Sequence, residues 1–352
     1  MTNVERIDNS VITFQPQSTA PLSAEIVSGR IQSLLDNIPE INTRSDDTYL
    51  FPMSAMTAGL ALDYGTDDEA HVYGAIVPES THQADKGMLH TLVSEDAFHP
   101  NWYLPSFADN ITENVMPGFT IFNDKDALAS YDLLTKDGMM VRAKDPSANG
   151  GGRQILLTSK EHLEDILSKY KDISKIGLVL EANTDRITNM PTVGQINLLG
   201  NKYSWISHNF NVIDNTALRF GGTHLSIAKG SHSDLLQEFE FNDGDVRAIK
   251  VAEAVLKEYR ASNIKVGRCA LDVLQGITSN GRQINGVVDP SLRPSASSVA
   301  EIRGIEEIHE SKSLSSSVKL SFLYDKLLPI PDNAEVFLDH EKLRIAVEVI
   351  PK

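Results

Sequence analysis

Lys144, Glu181, Asp272 and Asp289 are the residues whose types and settings suit chemistry. Lys144 closes a short run that opens Met139-Met140-Val141. It stands directly before Asp145-Pro146-Ser147-Ala148-Asn149-Gly150-Gly151-Gly152-Arg153. That segment cannot continue a strand, and three successive glycines permit positive φ and bring bare N–H groups close to an anion. A second apolar run, Ile155-Leu156-Leu157, follows at once, so the stretch reads as strand, glycine loop, strand. One reading is a hairpin with a flexible tip. The other is a flap that folds over phosphates while Lys144 supplies a fixed positive charge. Glu181 ends the apolar run Ile176-Gly177-Leu178-Val179-Leu180. Asp272 lies inside the strand pattern Val266–Leu274, and Asp289 follows the strand pattern Ile284–Val288, with a turn at Gly276–Gly281 between them. Carboxylates on two paired strands can share a face, and oxygen ligands so placed suit Mg²⁺, which takes one or two carboxylates plus substrate phosphates. The competing role for Asp272 is an ion pair with Arg268, since an unpaired buried charge is costly.

The elements that must hold these groups alternate between strand and helix in the first half of the chain. Residues 1–21 form a polar, proline-marked lead-in. An amphipathic helix is expected over 22–38, a strand at Tyr49-Leu50-Phe51, a helix over Met53–Leu62 and a strand over Val72–Val77. Ser80–Leu92 reads as a helix carrying Lys86, a lysine that is by default solvated. Helices are expected over Asp124–Leu134 and Ser159–Tyr170. From Thr192 to Ser226 short β-rich pieces separated by turn clusters mark an antiparallel sheet. Asp245–Tyr259 and Ser297–His309 read as helices, Glu310–Ser317 as a loop, and Leu320–Ile350 as two or three strands. His208 and His224 receive no role. Trp205 and Phe210 are assigned to the core. Cys269, beside Ala270 and Leu271, reads as a small buried hydrophobe.

The 352 residues suffice for two or three domains, and 41% hydrophobic content suits a packed core. With 32 Lys and Arg against 48 Asp and Glu the formal charge is −16, which argues against a general nucleic-acid surface and leaves room for a local nucleotide pocket. One cysteine excludes an internal disulfide and zinc-finger-type sites. No stretch reaches membrane-span length, and the first residues lack the pattern of a signal peptide, so a cytoplasmic protein is the expectation. A homodimer is the default symmetric assembly.

After Asp289 come Pro290-Ser291-Leu292-Arg293. A lysine with a glycine-rich loop, a strand-end Glu, and an acid-bearing hairpin finishing in D-x-S-x-R together resemble the ATP-grasp superfamily. There the last motif is typically E-x-N-x-R, as in the biotin carboxylase group. The combination VPESTHQADK, KDPSANGGGRQ, LVLE, VGQ, LDVLQG and DPSLR is similar to a bacterial family of uncharacterised ATP-grasp-like proteins, over about residues 80 to 300. The resemblance implies an α/β (α+β) fold in which two subdomains close on ATP. The divisions are a lead-in (1–21), an N-terminal α/β domain (22–115), a small subdomain with the glycine hairpin (116–183) and a large subdomain with C-terminal strands (184–352).

Carried over residue by residue, it implies nucleotide binding by Lys86, Lys144, Gly150, Gly151, Gly152, Arg153 and Glu181. It implies Mg²⁺ binding by Asp272, Asp289 and Ser291, and a catalytic Arg293 that steadies the reacting carboxylate or acyl phosphate. The activity implied is an ATP-dependent ligase acting on a carboxylate and an amine or other nucleophile. Asp for Glu at 289 and Ser for Asn at 291 depart from the superfamily pattern. Two alternatives therefore stand: a catalytically impaired nucleotide-binding or regulatory protein, and a binding module that takes no nucleotide.

Overall fold

The computed structural model of the chain describes residues 3–6, 11–15, 22–37, 49–148, 153–214, 217–325, 328–340 and 343–351. Within the lead-in, Asn3–Arg6 (β1) and Val11–Gln15 (β2) are strands, followed by the helix Leu22–Asn37 (α1). Tyr49–Pro52 (β3) pairs in parallel with β2, completing a three-stranded sheet. Met56–Thr57 (β4), the helix Ala58–Asp63 (α2) and Ala75–Val77 (β5) follow, with β4 and β5 parallel. The helix expected over Met53–Leu62 is thus shorter, because Thr57 accepts from the Leu60 amide and caps α2 only there.

No helix spans Ser80–Leu92. Two 3₁₀ turns, Thr81–Ala84 and Lys86–Met88, stand in its place. The Gln83 carboxamide accepts from the Glu79 and Ser80 amides and donates to the Trp102 carbonyl. Such local side-chain bonds compete with the helical ladder. Gly87 packs against Pro146, where an added Cβ would lie 3.2 Å from the proline ring. Pro105–Ile111 (α3) then leads to a four-stranded antiparallel sheet.

That sheet runs in the order β6-β9-β7-β8: Gly118–Ile121 (β6), Val141–Lys144 (β7), Gln154–Leu156 (β8) and Leu178–Ala182 (β9). The helices Asp124–Lys136 (α4) and Lys160–Lys169 (α5) cover one face, and the short turn Ile173–Ile176 (α6) precedes β9. Asn123 and Ser159 cap α4 and α5. Period-two alternation decides which residues face those helices. Val141, Ala143, Leu180 and Ala182 join Leu134, Leu163 and Leu167 in one apolar cluster. Arg142, Lys144 and Glu181 point the other way.

The rest is dominated by a nine-stranded sheet. Its strands are Thr184–Asn189 (β10), Thr192–Leu198 (β11), Asn201–Asp214 (β12) and Ala217–Lys229 (β13). After the helices His232–Glu238 (α7) and Asp243–Ala261 (α8) and a short strand Lys265–Val266 (β14) come Arg268–Thr278 (β15) and Gln283–Ser291 (β16). The helix Ser298–Ser311 (α9) precedes Ser315–Leu323 (β17), Ala334–His340 (β18) and Leu343–Ile350 (β19). The order is β10-β15-β11-β12-β13-β17-β19-β18, with β16 added on β15. β14 instead pairs with β5 and ties the N-terminal part to the large sheet. Two apolar clusters fill its faces: α8 with Val193, Leu271 and Val273 on one side, α1 and α9 with Trp205, Ile227 and Val318 on the other.

The loop expected over Glu310–Ser317 is confined to the short gap between α9 and β17. Ser315–Ser317 already pair with Ser226–Ala228, so sheet pairing overrides the weak strand preference of serine. Trp205 and Cys269 are core residues as expected, whereas Phe210 is only half-buried. Among the described residues no helix is long and apolar enough to cross a membrane.

Candidate functional site between the two sheets

Opposed residues of antiparallel strands share a face. Arg142 lies opposite Glu181, and Lys144 opposite Gln154. The four, with Asn183, line a cavity of about 290 Å³ that the large sheet closes with Asp272 and Asp289. Lys144 Nζ bonds directly to Glu181 Oε1, and both side chains are only 5% exposed. Burial pushes the Glu181 carboxyl up, but Lys144 and His90 outweigh it and hold the group below the usual carboxylate range. His90, 1% exposed, sets Nε2 3.4 Å from Glu181 Oε2. Gly118 makes room for this arrangement. An added Cβ would sit 2.6 Å from the Leu180 carbonyl and 2.9 Å from the Glu181 Cβ.

The base of the glycine hairpin is locked by Asp145. Its carboxylate accepts from the Ser147 amide (2.9 Å) and hydroxyl (2.7 Å) and from the Arg153 guanidinium (3.0 Å). Arg153 is otherwise solvent-facing and in the left-handed backbone region, so its visible work is to close the hairpin. Gly150, Gly151 and Gly152 lie outside the described residues. Lys86, expected on a helix surface, is buried instead. Its Nζ donates to the Ala148 carbonyl (2.5 Å) and stands 3.4 Å from Asp289 Oδ1. One lysine thus bridges the hairpin and the acid-bearing strand.

Asp272 and Asp289 are direct partners in the β15–β16 register, and a bulge follows the pair. Asp272 accepts a 2.6 Å bond from Thr192 Oγ1. Burial pushes its carboxyl up to about 6, with Asp289 adding to the rise. Burial also raises Asp289, against the pull of Lys86 and Lys144. Among the described residues no group of three or more His, Cys, Asp or Glu is placed to hold a metal ion. The pair would still suit a divalent cation, because two adjacent, partly buried carboxylates repel each other and a shared cation would relieve that. Ser291, opposite Ala270 in the same hairpin, directs its hydroxyl to the Arg293 carbonyl at 3.5 Å.

Arg268 does not pair with Asp272. Residues i and i+4 of a strand are about 13 Å apart, beyond ion-pair reach. Arg268 meets Glu301 of α9 instead, through Nε at 3.1 Å and a second nitrogen at 2.5 Å. Its other donors go to the Ser291 carbonyl (3.1 Å), the Arg293 carbonyl and Ser295 Oγ (2.8 Å). All five N–H groups are therefore used, two on the carbonyls of Ser291 and Arg293 within the D-P-S-L-R segment and two on Glu301. Arg293 borders two further cavities. One, of about 230 Å³, includes Lys86, Ala148 and Asp289. The other, of about 720 Å³, includes Asn209, Asp289 and Ser291.

A family model described as "Protein of unknown function (DUF3182)" matches residues 13–346. The chain belongs to this family. No curated protein matches its sequence. Several solved structures are similar to the DUF3182 chain. The ADP complex of N5-carboxyaminoimidazole ribonucleotide synthetase is 11% identical with a TM-score of 0.41, over 70% of this chain and 65% of that one. Phosphoribosylamine–glycine ligase from Thermotoga maritima is 10% identical with a TM-score of 0.48, over 94% and 81%. D-alanyl-alanine synthetase A from Vibrio cholerae O1 biovar eltor is 9% identical with a TM-score of 0.43, over 82% and 90%. The chain thus spans less than two thirds of the first of these.

In this DUF3182 chain the site contains three groups that sequence reasoning passed over. His90 sits in an unremarkable loop segment. Thr192 and Asn209 lie on neighbouring strands whose alternation marks them only as sheet residues. The raised Asp272 carboxyl yields a prediction with a definite sign. A folded-state value above the unfolded one means that ionisation opposes folding. Relative to Asp272→Asn, wild type is expected to lose stability as pH rises from about 4 to 6, and to hold a constant deficit above that. Thermal melts of both proteins across this range test it, and parallel curves refute it. Glu306, which burial pushes up to about 7, titrates in both and cancels.

Proposed function

We propose that this chain is an ATP-grasp ligase. A carboxylate oxygen of its acid substrate attacks the γ-phosphorus of ATP, the β–γ bridging bond breaks, and ADP leaves with the electron pair. An amine or other nucleophile then attacks the acyl phosphate and displaces phosphate. The observation that carries this reading is the position of Asp289, which borders all three cavities: the one with Lys144 and Glu181, the one with Lys86, and the large one with Arg293. A group at that junction touches nucleotide, metal and acid at once.

On this reading the halves that close on ATP are the small subdomain (116–183) and the large one (184–352). Lys144 and Lys86 neutralise phosphate oxygens, and Glu181, oriented by His90, stands beside the nucleoside. Asp272 and Asp289 would hold Mg²⁺, with Ser291 a neutral neighbour, and the ion would supply positive charge to the phosphate oxygens. Gly150, Gly151 and Gly152 cap the phosphates, and Arg293 holds the carboxylate. Fixed donors aimed at developing phosphate charge in a closed cleft lower the barrier because they need no reorganisation. On this reading the protein works in the cytoplasm, where ATP is supplied.

Calorimetry of Mg²⁺-ATP on wild type and Lys144→Ala tests the reading. Wild type is expected to bind, and the folded variant to bind at least about tenfold more weakly. Absence of binding to wild type at millimolar ATP would end it. A silent nucleotide-binding protein is the second reading, favoured by the Ser291 hydroxyl facing the Arg293 carbonyl. It predicts ATP binding with no ADP release across acids and nucleophiles.

A further inference from the structure

His90 is buried beside Glu181, with its side chain 1% exposed. The backbone around it is pinned. The Tyr103 hydroxyl donates to the His90 carbonyl (2.5 Å), and the Thr120 amide donates to the Thr91 carbonyl (3.0 Å). The ring is thereby held with Nε2 3.4 Å from Glu181 Oε2, and the two make no hydrogen bond. Neither ring nitrogen of His90 has a hydrogen-bond partner among the described residues, and neither has Glu181 Oε2. An imidazole and a carboxylate oxygen left unbonded side by side in the interior are costly. The other Glu181 oxygen is taken by Lys144. Of the two bonds this trio can form, one is made and one is not.

Charge decides when the second bond forms. In the free chain Lys144 balances Glu181, and a proton on His90 would leave the buried trio with excess positive charge. Nucleotide binding changes the balance. On the ligase reading Lys144 turns its charge to phosphate oxygens, and the phosphates of ATP outweigh the two positive charges of one Mg²⁺. They enter a cleft where Asp272 and Asp289 already stand against Lys86, Arg142 and Arg293. What arrives is net negative, and Glu181, 5% exposed, keeps a buried charge that the lysine no longer fully answers. A ligand hydroxyl could give Glu181 a hydrogen bond but no charge. Histidine is the side chain that ordinarily gains and loses its proton near neutral pH, so it can supply both. The other polar groups nearby cannot. Thr120, on the same face of β6 as Gly118, is a neutral hydroxyl, and burial raises the Tyr103 hydroxyl further from neutrality.

Resting on the nucleotide-binding part of the ligase reading, we propose that His90 takes up a proton from solvent as the nucleotide binds, and that Glu181 passes from Lys144 to His90 as its charged partner. The Nε2–H then donates to Glu181 Oε2, and Lys144 is released to the phosphates. His90 borders none of the three cavities, so it is a positioning residue that acts through Glu181. Because binding consumes a proton, affinity for the nucleotide falls as pH rises.

Calorimetric titration of the full chain with Mg²⁺-ATP at pH 7.5, without acid substrate and in buffers of different ionisation enthalpy, counts the protons taken up. Asp272, pushed up to about 6, is already ionised there and contributes little. Wild type is expected to take up roughly half to one proton per nucleotide, and its Kd to weaken by about three- to tenfold from pH 7.5 to 8.5. His90→Gln keeps an N–H donor beside Glu181 but accepts no proton. It should bind the nucleotide with no uptake and with a Kd that is flat over that range. Glu181→Gln removes the acid and should also lose the uptake, which keeps the test decisive if the His90 variant does not fold. Nucleotide binding by wild type without uptake, or uptake unchanged in either folded variant, overturns this inference and leaves the ligase reading standing. Failure of wild type to bind Mg²⁺-ATP defeats that reading and this inference with it.

Discussion

Asp289→Asn is expected to cut ATP-dependent turnover by on the order of 10²–10³-fold while leaving the fold intact. The amide occupies the volume of the carboxylate, so packing along the β15–β16 hairpin changes little. What is lost is charge at the point where three cavities meet. On the proposed reading Asp272 alone would then face the cation, and Lys86, 3.4 Å from Asp289 in the wild type, would lose its counter-charge at the hairpin. On the ligase proposed above, the loss should lie in kcat more than in KM for ATP, since Lys144 and Glu181, the proposed nucleotide contacts, are unchanged. Steady-state ADP release with a responsive acid, together with a far-ultraviolet circular dichroism spectrum, measures both. A folded variant within about threefold of wild type would remove Asp289 from the reaction.

Arg268→Leu is expected to destabilise the protein by about 3–5 kcal/mol, because it leaves Glu301 buried without a counter-charge. Both side chains are fully excluded from solvent. Glu301 would keep only the hydroxyls of Tyr73 (2.7 Å) and Ser297 (2.9 Å). The backbone carbonyls of Ser291 and Arg293 would also lose their shared donor. The double variant Arg268→Leu/Glu301→Leu should recover most of the stability, since a matched apolar pair removes both buried charges. It should not recover the proposed ligase turnover, because the carbonyls of Ser291 and Arg293 then lack the guanidinium that draws them together. Urea unfolding of the three proteins decides it. A single variant within about 1 kcal/mol of wild type, or a double variant no better than the single, would show that the pair does not hold this corner of the fold.

Much of the site was legible because its residues obey short-range rules. Lys144 and Glu181 were legible as charged residues closing apolar runs, whereas their meeting across β7 and β9 came only with the sheet pairing. The turn at Gly276–Gly281 joins two strands, so Asp272 and Asp289 were legible as carboxylates of one hairpin, but the bulge that brings them into direct register was not. Their mixed α/β setting followed from the same patterns. Lys86 was legible as a residue but not as a place. The segment around it forms turns where a helix was expected, since Gln83 bonds locally and Gly87 must approach Pro146.

What the sequence by itself determined, then, is the set of strands and turns that carry the lysine, the glycine hairpin and the acid pair, because backbone alternation and turn chemistry act over a few residues. What only the tertiary structure decided is partnership. Arg268 finds Glu301 thirty-three positions on rather than Asp272 four positions on. His90 finds Glu181, Lys86 finds Ala148 and Asp289, and Asn209 finds Thr192. Each of these joins elements that come together only when the sheets and helices pack. A buried polar group takes whichever partner packing brings within about 3 Å, and no local pattern in the chain encodes that distance.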